Sequence, residues 1–295
     1  MTNTMQRVLI TGANSFVGTN VKKWLLKTPD AFAVDTVDTM NGAWKKADFT
    51  KYDVVFHVAG IAHVDPKPEM APLYYKVNRD LAIEIATWAK EHGVRQFIYM
   101  SSRIVYRASK SMKGNITLPT TQPAPNDFYG DSKLQAENGL HELECNTFKV
   151  AVIRPPMIYG KGNKGNLPRL GWLATKTPVF PAWHNKRSML HVDNLAEFVK
   201  QVILRGMAGT FYPQNKEYAD TVEIVRQFAL QHGHRVWITR LLNPFVWFGA
   251  KFLPAIPKMF ADSYYVQEMS QYPFDYQVIS FEESLKGLEI RKTMK

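Results

Sequence analysis

Residues 7–18 read Arg-Val-Leu-Ile-Thr-Gly-Ala-Asn-Ser-Phe-Val-Gly. An apolar run passes straight into a glycine turn and then into a helical pattern. That order presents the free N–H groups of a helix N-terminus to a pyrophosphate. The places usually held by three glycines are Gly12, Ser15 and Gly18. Serine in the middle place is small, but it gives up glycine's ready access to positive φ. The stretch therefore predicts a dinucleotide site at the start of the chain.

Outward from it, further apolar runs occur at Ala33–Val37, Val54–Ala59, Phe97–Met100 and Lys149–Ile153. They lack polar alternation, as strands covered on both faces do. Phe16–Lys27, Leu73–His92 and Tyr129–Leu143 have helical spacing. Strands alternating with helices predict an α/β fold with a doubly wound parallel sheet of Rossmann type. Asp38 to Asp53 is too short for a full crossover helix. After Ile153, Arg154-Pro155-Pro156 ends a strand and residues 160–165 form a loop. Asp220 and Glu223 form a capping-box pattern for a helix running to Gln231. The expected division is a dinucleotide-binding domain over 1–160, with 188–215 returning to it. A smaller C-terminal substrate domain comprises 161–187 and 216–295.

The 295 residues suffice for a large core, and 45% hydrophobic with 21% charged residues is ordinary for a soluble globular chain. A single cysteine, Cys145, excludes an internal disulfide and suits a reducing compartment, so a cytoplasmic protein without a secretory leader is expected. No Cys/His cluster has zinc spacing, so no metal is expected. The net charge of +11 is spread along the chain. It reads as a basic surface, with some attraction for a phosphate-bearing ligand and little for nucleic acid. Leu241–Phe260 is rich in Leu, Phe and Trp but is interrupted by Pro244, Gly249, Pro254 and Pro257. It is a poor membrane-spanning helix. Helix packed in the small domain is the favoured reading, and a segment lying on a membrane surface is the alternative.

Three sets of residues carry chemistry. Asp35 and Asp38 lie near the end of the second strand, where a carboxylate binds ribose hydroxyls and repels a 2′-phosphate, favouring NAD over NADP; Asp38, at the strand end, is preferred. Tyr129 and Lys133 stand one helical turn apart, so an ammonium can lower the phenol pKa toward a usable base. The same spacing recurs at Tyr106–Lys110 and Tyr212–Lys216, in loop-like and proline-bearing contexts. Ser101-Ser102 follows the strand Phe97–Met100, at the end of the sheet that binds ligands.

With Asp48-Phe49, His57-Val-Ala-Gly60, Val77-Asn78, Ser101-Ser-Arg-Ile-Val-Tyr106, Arg154-Pro-Pro-Met-Ile-Tyr-Gly160 and Arg187-Ser-Met-Leu-His-Val-Asp193, these motifs resemble the extended short-chain dehydrogenase/reductase family, in its NAD-dependent sugar epimerase/dehydratase branch. The resemblance spans nearly the whole chain. It implies catalytic Ser102, Tyr129 and Lys133. It implies NAD held by Gly12, Asn14, Ser15, Phe16, Val17, Gly18, Asp38, Asp48, Phe49, Ala59, Gly60, Lys133 and Pro155. Asn166, Phe180 and Arg187 match places that hold the nucleotide of a nucleotide sugar. Arg103-Ile104 stands where the branch's 4,6-dehydratases carry an acidic pair, which argues against dehydration. Met157 replaces an Asn common in 4-epimerases. The reaction expected is epimerisation of a nucleotide sugar, most simply a UDP-hexose at C4, through transient oxidation with Tyr129 as base. A reductase or dehydrogenase of a sugar or small carbonyl compound, and a non-catalytic dinucleotide sensor, are the alternatives. Members of the branch are often homodimers through two long helices, a role open to Leu73–His92 and Tyr129–Leu143.

Overall fold

The computed structural model describes residues 5–62, 67–106, 111–163, 166–288 and 290; of Asn166 it describes the backbone. In chain order the first elements are β1 (Gln6–Thr11), α1 (Phe16–Leu25), β2 (Phe32–Val37), β3 (Val54–His57), α2 (Ala71–Tyr74), α3 (Leu81–Glu91), β4 (Gln96–Met100), β5 (Asn115–Thr117), α4 (Phe128–Leu143) and β6 (Lys149–Ile153). There follow β7 (Met157–Tyr159), α5 (Asn166–Ala174), β8 (Val179–Pro181), β9 (Met189–His191), α6 (Val192–Leu204), β10 (Gly209–Phe211), α7 (Thr221–Gln231), β11 (Trp237–Thr239), α8 (Asn243–Gly249), α9 (Ala255–Phe260), β12 (Ser263–Tyr265) and α10 (Phe281–Leu285).

Six strands make one parallel sheet in the order β10-β6-β4-β3-β1-β2. Successive side chains of a strand point to opposite faces, and here both faces are covered. Val8, Ile10, Phe56 and Ile98 pack on one side with Val21 and Leu25 of α1 and Leu195, Phe198 and Val202 of α6. Leu9, Val55, Phe97 and Val152 pack on the other with Ala82, Ile85 and Ala86 of α3 and Ala136 and Leu140 of α4. This two-sided burial is why the runs read from sequence carry no polar alternation. The chain runs from β1 to β2 on one side and returns to β3 on the other. That reversal opens a crevice at the carboxyl ends of β1 and β3. Thr11, His57, Tyr99 and Val152 lie opposite one another in the ladder and set the floor of the crevice.

Asp38 to Asp53 holds two short 3₁₀ segments, Met40–Lys46 and Phe49–Lys51, rather than a crossover helix. The helix read over Leu73–His92 is α2, a π-helical turn at Tyr75–Asp80, and α3 in continuous succession. β7 with β9, β8 with β11, and β5 with β12 form three small parallel pairs. A third apolar cluster, including Tyr159, Phe180, Val225, Phe228 and Phe260, packs among them. Two expectations change. The capping box of α7 is half formed: Asp220 accepts from the Val222 N–H at 2.9 Å, while Glu223 bonds to Arg226 and Gln227. Leu241–Phe260 packs in the small domain only in part: it forms two short helices, in which Val246, Pro257 and Phe260 are buried and Ile256 and Met259 lie against the third cluster, while its other large apolar side chains are mostly exposed.

Candidate active site

The β1–α1 turn is built on bare backbone. Gly12 has φ +96°, and a Cβ there would stand 2.9 Å from the Ala59 nitrogen. Ser15 has φ −68° and its Oγ accepts from the Gly18 N–H at 3.0 Å, capping α1. Positive φ is thus not required at the middle position; Asn14 takes it instead, at +67°. With Gly18 capped by that hydroxyl, the N–H groups of Phe16 and Val17 remain without intrahelical carbonyls. They are the donors an anion at this terminus would use.

Asp38 lies just past β2 and accepts from the Met40 N–H at 2.8 Å. Asp35 accepts from the Tyr52 hydroxyl, which leaves Asp38 as the carboxylate at the crevice edge. Asp48 is exposed and caps the turn after it through Thr50. Phe49 is fully buried against Trp44, so its backbone rather than its ring is what it can offer a cofactor. Beyond β3, a Cβ on Gly60 would come within 3.0 Å of Asn78 Oδ1 and 3.2 Å of Lys133 Nζ. Gly12, Ala59, Gly60 and Lys133 therefore meet along one bare strip. A strip that any side chain would fill fits a dinucleotide. Asn78 fixes it, accepting from the Ile61 N–H at 2.8 Å and donating to the Ile61 carbonyl at 3.2 Å.

Tyr129 sits in the first turn of α4, whose N-cap Asp127 accepts from the Gly130 N–H. Ser102 lies close enough to the Tyr129 hydroxyl to favour the ionised phenol, and Tyr74 packs edge-on to its ring at 5.8 Å. Burial pushes the phenol up to about 12, against the smaller downward pull of Ser102. Lys133 donates to the Met100 carbonyl at 2.8 Å, and burial brings its ammonium down to about 8. The expected lowering of the phenol by the lysine is therefore not met by these side chains alone: desolvation dominates, the downward pull comes from Ser102, and the ammonium is engaged elsewhere. Tyr212 lies beyond β10, outside any helix, and Lys110 lies outside the described residues.

Beneath Lys133 is a buried network that sequence reading did not assign. Glu137, one further turn along α4, takes Arg154 Nε on both oxygens, at 3.1 and 3.0 Å, and accepts from the Ser101 hydroxyl. Arg154 also donates to the Tyr106 hydroxyl at 2.8 Å. Glu137 continues the i, i+4 series from Tyr129 and Lys133, which was its one available signal. His57 is fully buried, with Nδ1 bonded to Thr11 Oγ1 at 2.7 Å and Nε2 without a partner. Burial takes its pKa down to about 3.

On the C-terminal side, Pro155 is buried and its carbonyl accepts from the Arg103 N–H at 2.9 Å. Arg103 itself donates to Ser263 Oγ at 2.7 Å and Thr117 Oγ1 at 3.1 Å, tying β5 and β12 to the loop after β4. Arg187 donates to the Lys258 and Met259 carbonyls at 2.6 and 3.3 Å. Phe180 is buried against Phe260, so its ring belongs to the core and not to an open binding face. Asn166 begins α5, and its side chain lies outside the described residues.

A family model described as the NAD dependent epimerase/dehydratase family matches residues 8–212. A UDP-glucose 4-epimerase of Vibrio cholerae is 30% identical over 253 residues, covering 78% of this chain and 77% of that one. The N-acetyl-α-D-glucosaminyl-diphospho-ditrans,octacis-undecaprenol 4-epimerase of Escherichia coli O157:H7 is 28% identical over 221 residues, covering 68% and 64%. Among solved structures, a UDP-glucuronic acid 4-epimerase from Bacillus cereus in complex with NAD superposes with a TM-score of 0.73 at 17% identity, over 96% and 97% of the chains. The chain belongs to the NAD dependent epimerase/dehydratase family.

Proposed function

We propose that this family member is an NAD-dependent nucleotide-sugar epimerase, most simply a UDP-hexose 4-epimerase. The observation that carries the reading is the meeting of Lys133 with the bare strip of Gly12 and Gly60, with Tyr129 one helical turn before Lys133 on α4 and Ser102 just past the end of β4. Gly12, Phe16, Val17, Asp38, Asp48, Ala59, Gly60 and Lys133 would hold the dinucleotide. Bound NAD supplies a reversible oxidant for a carbon bearing a hydroxyl.

Tyr129 takes the proton of that hydroxyl as the carbon becomes a ketone, and returns it once the opposite face has been reduced. Ser102 donates to the same oxygen and fixes its position. Because burial holds the phenol up to about 12, it rests protonated at neutral pH. Positive charge entering the cleft is needed to draw it down. Lys133 is the chain's own cation nearest this task. Arg103 fills the place where elimination of water needs a carboxylate, and its guanidinium is committed to Ser263 and Thr117. Asp38 favours NAD over NADP by repelling a 2′-phosphate. Arg187 is proposed to meet the diphosphate of the sugar nucleotide, from a substrate domain made of 161–187 and 216–295. The names carried by the Vibrio cholerae and Escherichia coli relatives support 4-epimerisation.

The test is to supply a panel of UDP-sugars with NAD and follow both product stereochemistry and absorbance of reduced cofactor. Interconversion of C4 epimers with no net NADH is expected. Stoichiometric consumption of NAD(P)H would replace the reading with a reductase. Bound dinucleotide without turnover on any sugar would leave a sensor.

A further inference from the structure

From Ile224 to Ala261 the chain holds no Asp or Glu, while Arg235, Arg240, Lys251 and Lys258 fall within it, along with Arg226, which pairs with Glu223. Within the same stretch, Leu241, Phe245, Trp247, Phe248, Phe252 and Leu253 are between 56% and 73% exposed. Helix α8 is anchored to the rest of the protein by the buried Val246. The Phe248 and Phe252 rings pack 5.2 Å apart, tilted by 53°, and the Lys251 ammonium lies 4.0 Å from the centre of the Trp247 ring. Isolated exposed apolar residues need no explanation, but a run of large ones around one short helix marks an interaction surface.

The charge pattern selects the partner. A second copy bound across a two-fold axis would set this basic segment against itself, like charge on like charge. A surface of anionic lipid headgroups meets both properties at once: aromatic rings settle at headgroup depth, and Lys and Arg reach the phosphates. No helix among the described residues is long and apolar enough to cross a membrane, so the contact lies along the surface. We propose that α8 and the turn leading to α9 dock in the interface of an anionic lipid bilayer. Helix α9 then links the docked segment to the site, since Arg187 donates to its Lys258 and Met259 carbonyls. On the functional reading above, docking would place the diphosphate contact beside the membrane surface.

The experiment is co-sedimentation of the full chain with vesicles of phosphatidylcholine alone or with added phosphatidylglycerol. Binding to the anionic vesicles that weakens with salt is expected. The Phe245→Ser/Trp247→Ser variant, altered only at exposed positions, should lose vesicle affinity by more than about tenfold. Lys251→Glu should weaken binding at low salt, with circular dichroism unchanged in both variants. Failure of the parent to bind anionic vesicles, or equal binding by the Ser variant, overturns the proposal. So does sedimentation velocity showing a parent dimer that the Ser variant makes monomeric, because the face is then protein-bound. Vesicle binding is read without any sugar substrate, so its failure leaves the epimerase reading standing, and loss of turnover leaves docking standing.

Discussion

Replacing Glu137 with Gln removes one negative charge from the base of the site at almost constant volume. Glu137 is 1% exposed and Arg154 7%. The guanidinium reaches both carboxylate oxygens through Nε, donates again to Oε2 through Nη2, and gives Nη1 to the Tyr106 hydroxyl. A buried ion pair is not by itself strong evidence of stability, since an apolar pair of the same size can serve as well. Removing one partner is different, because it strands the other charge in low dielectric at about 3–5 kcal/mol. Unfolding entropy of about 2.1 cal/mol/K per residue, taken over 295 residues, converts that cost to a fall in Tm of about 5–8 °C. Scanning calorimetry measures it. A second consequence follows through Lys133. Burial lowers its ammonium to about 8, and Glu137 is the opposing influence that raises it. Without Glu137 the lysine loses its proton at lower pH. If the charged lysine supports the ionised phenol, activity falls as pH rises through the lysine pKa, so the alkaline limb of kcat/KM moves to lower pH in the variant. The double variant Glu137→Leu/Arg154→Met should recover part of the lost Tm but not the alkaline limb. A Glu137→Gln protein that melts within roughly 1 °C of the parent and keeps its alkaline limb would refute the argument.

Tyr129→Phe should lower turnover by about 10²–10⁴-fold while leaving dinucleotide binding intact; near-parental turnover would remove the phenol from the reaction. Gly12→Ala should abolish or strongly weaken dinucleotide binding in calorimetric titration, because its Cβ would meet the Ala59 nitrogen at 2.9 Å in a backbone of φ +96°. Unchanged affinity would mean that the β1–α1 turn is not the cofactor's seat. His57 has a folded pKa near 3 against its ordinary 6.5, so between those values the unfolded chain binds a proton that the folded one refuses. Stability therefore falls as pH drops from about 6.5 toward 3. His57→Asn, which can still bond to Thr11, should show a flatter dependence of Tm on pH over that window, and an equal slope in both proteins would rule out His57 as the source.

The six-stranded sheet was legible because burial on both faces writes bare apolar runs into the sequence. The turn was legible from Gly12 and Gly18, although Ser15 reads there as a compromise and proves a helix cap once its φ is known. The one-turn spacing of Tyr129 and Lys133 was equally plain, while the phenol's pKa was not. Its desolvation is supplied by neighbours such as Tyr74, which is 55 positions earlier in the chain. Arg103 meets Ser263, and Glu137 meets Arg154, through contacts that no local period announces. The stretch around α8 failed in the opposite direction. Hydrophobic composition reads as burial, but burial depends on what packs against a segment, and within α8 only Val246 is fully buried.

The charges left after pairing give the site its sign. Glu137 neutralises Arg154, so Lys133 carries net positive charge at the floor of the crevice at and below about pH 8. His57 stays neutral beside it because burial and the Lys133 charge both oppose its protonation. Across the cleft, burial lowers the pKa of both Arg103 and Arg187, and the Arg103 charge lowers Arg187 further. Neither guanidinium is in an ion pair among the described residues. One buried cation, Lys133, and two half-buried ones, Arg103 and Arg187, without ion-pair partners among the described residues make an electrostatic setting for which an anion is the natural complement. Two anions answer that need at different stages of the proposed reaction: the diphosphate of a sugar nucleotide near Arg187, and the phenolate of Tyr129 near Lys133.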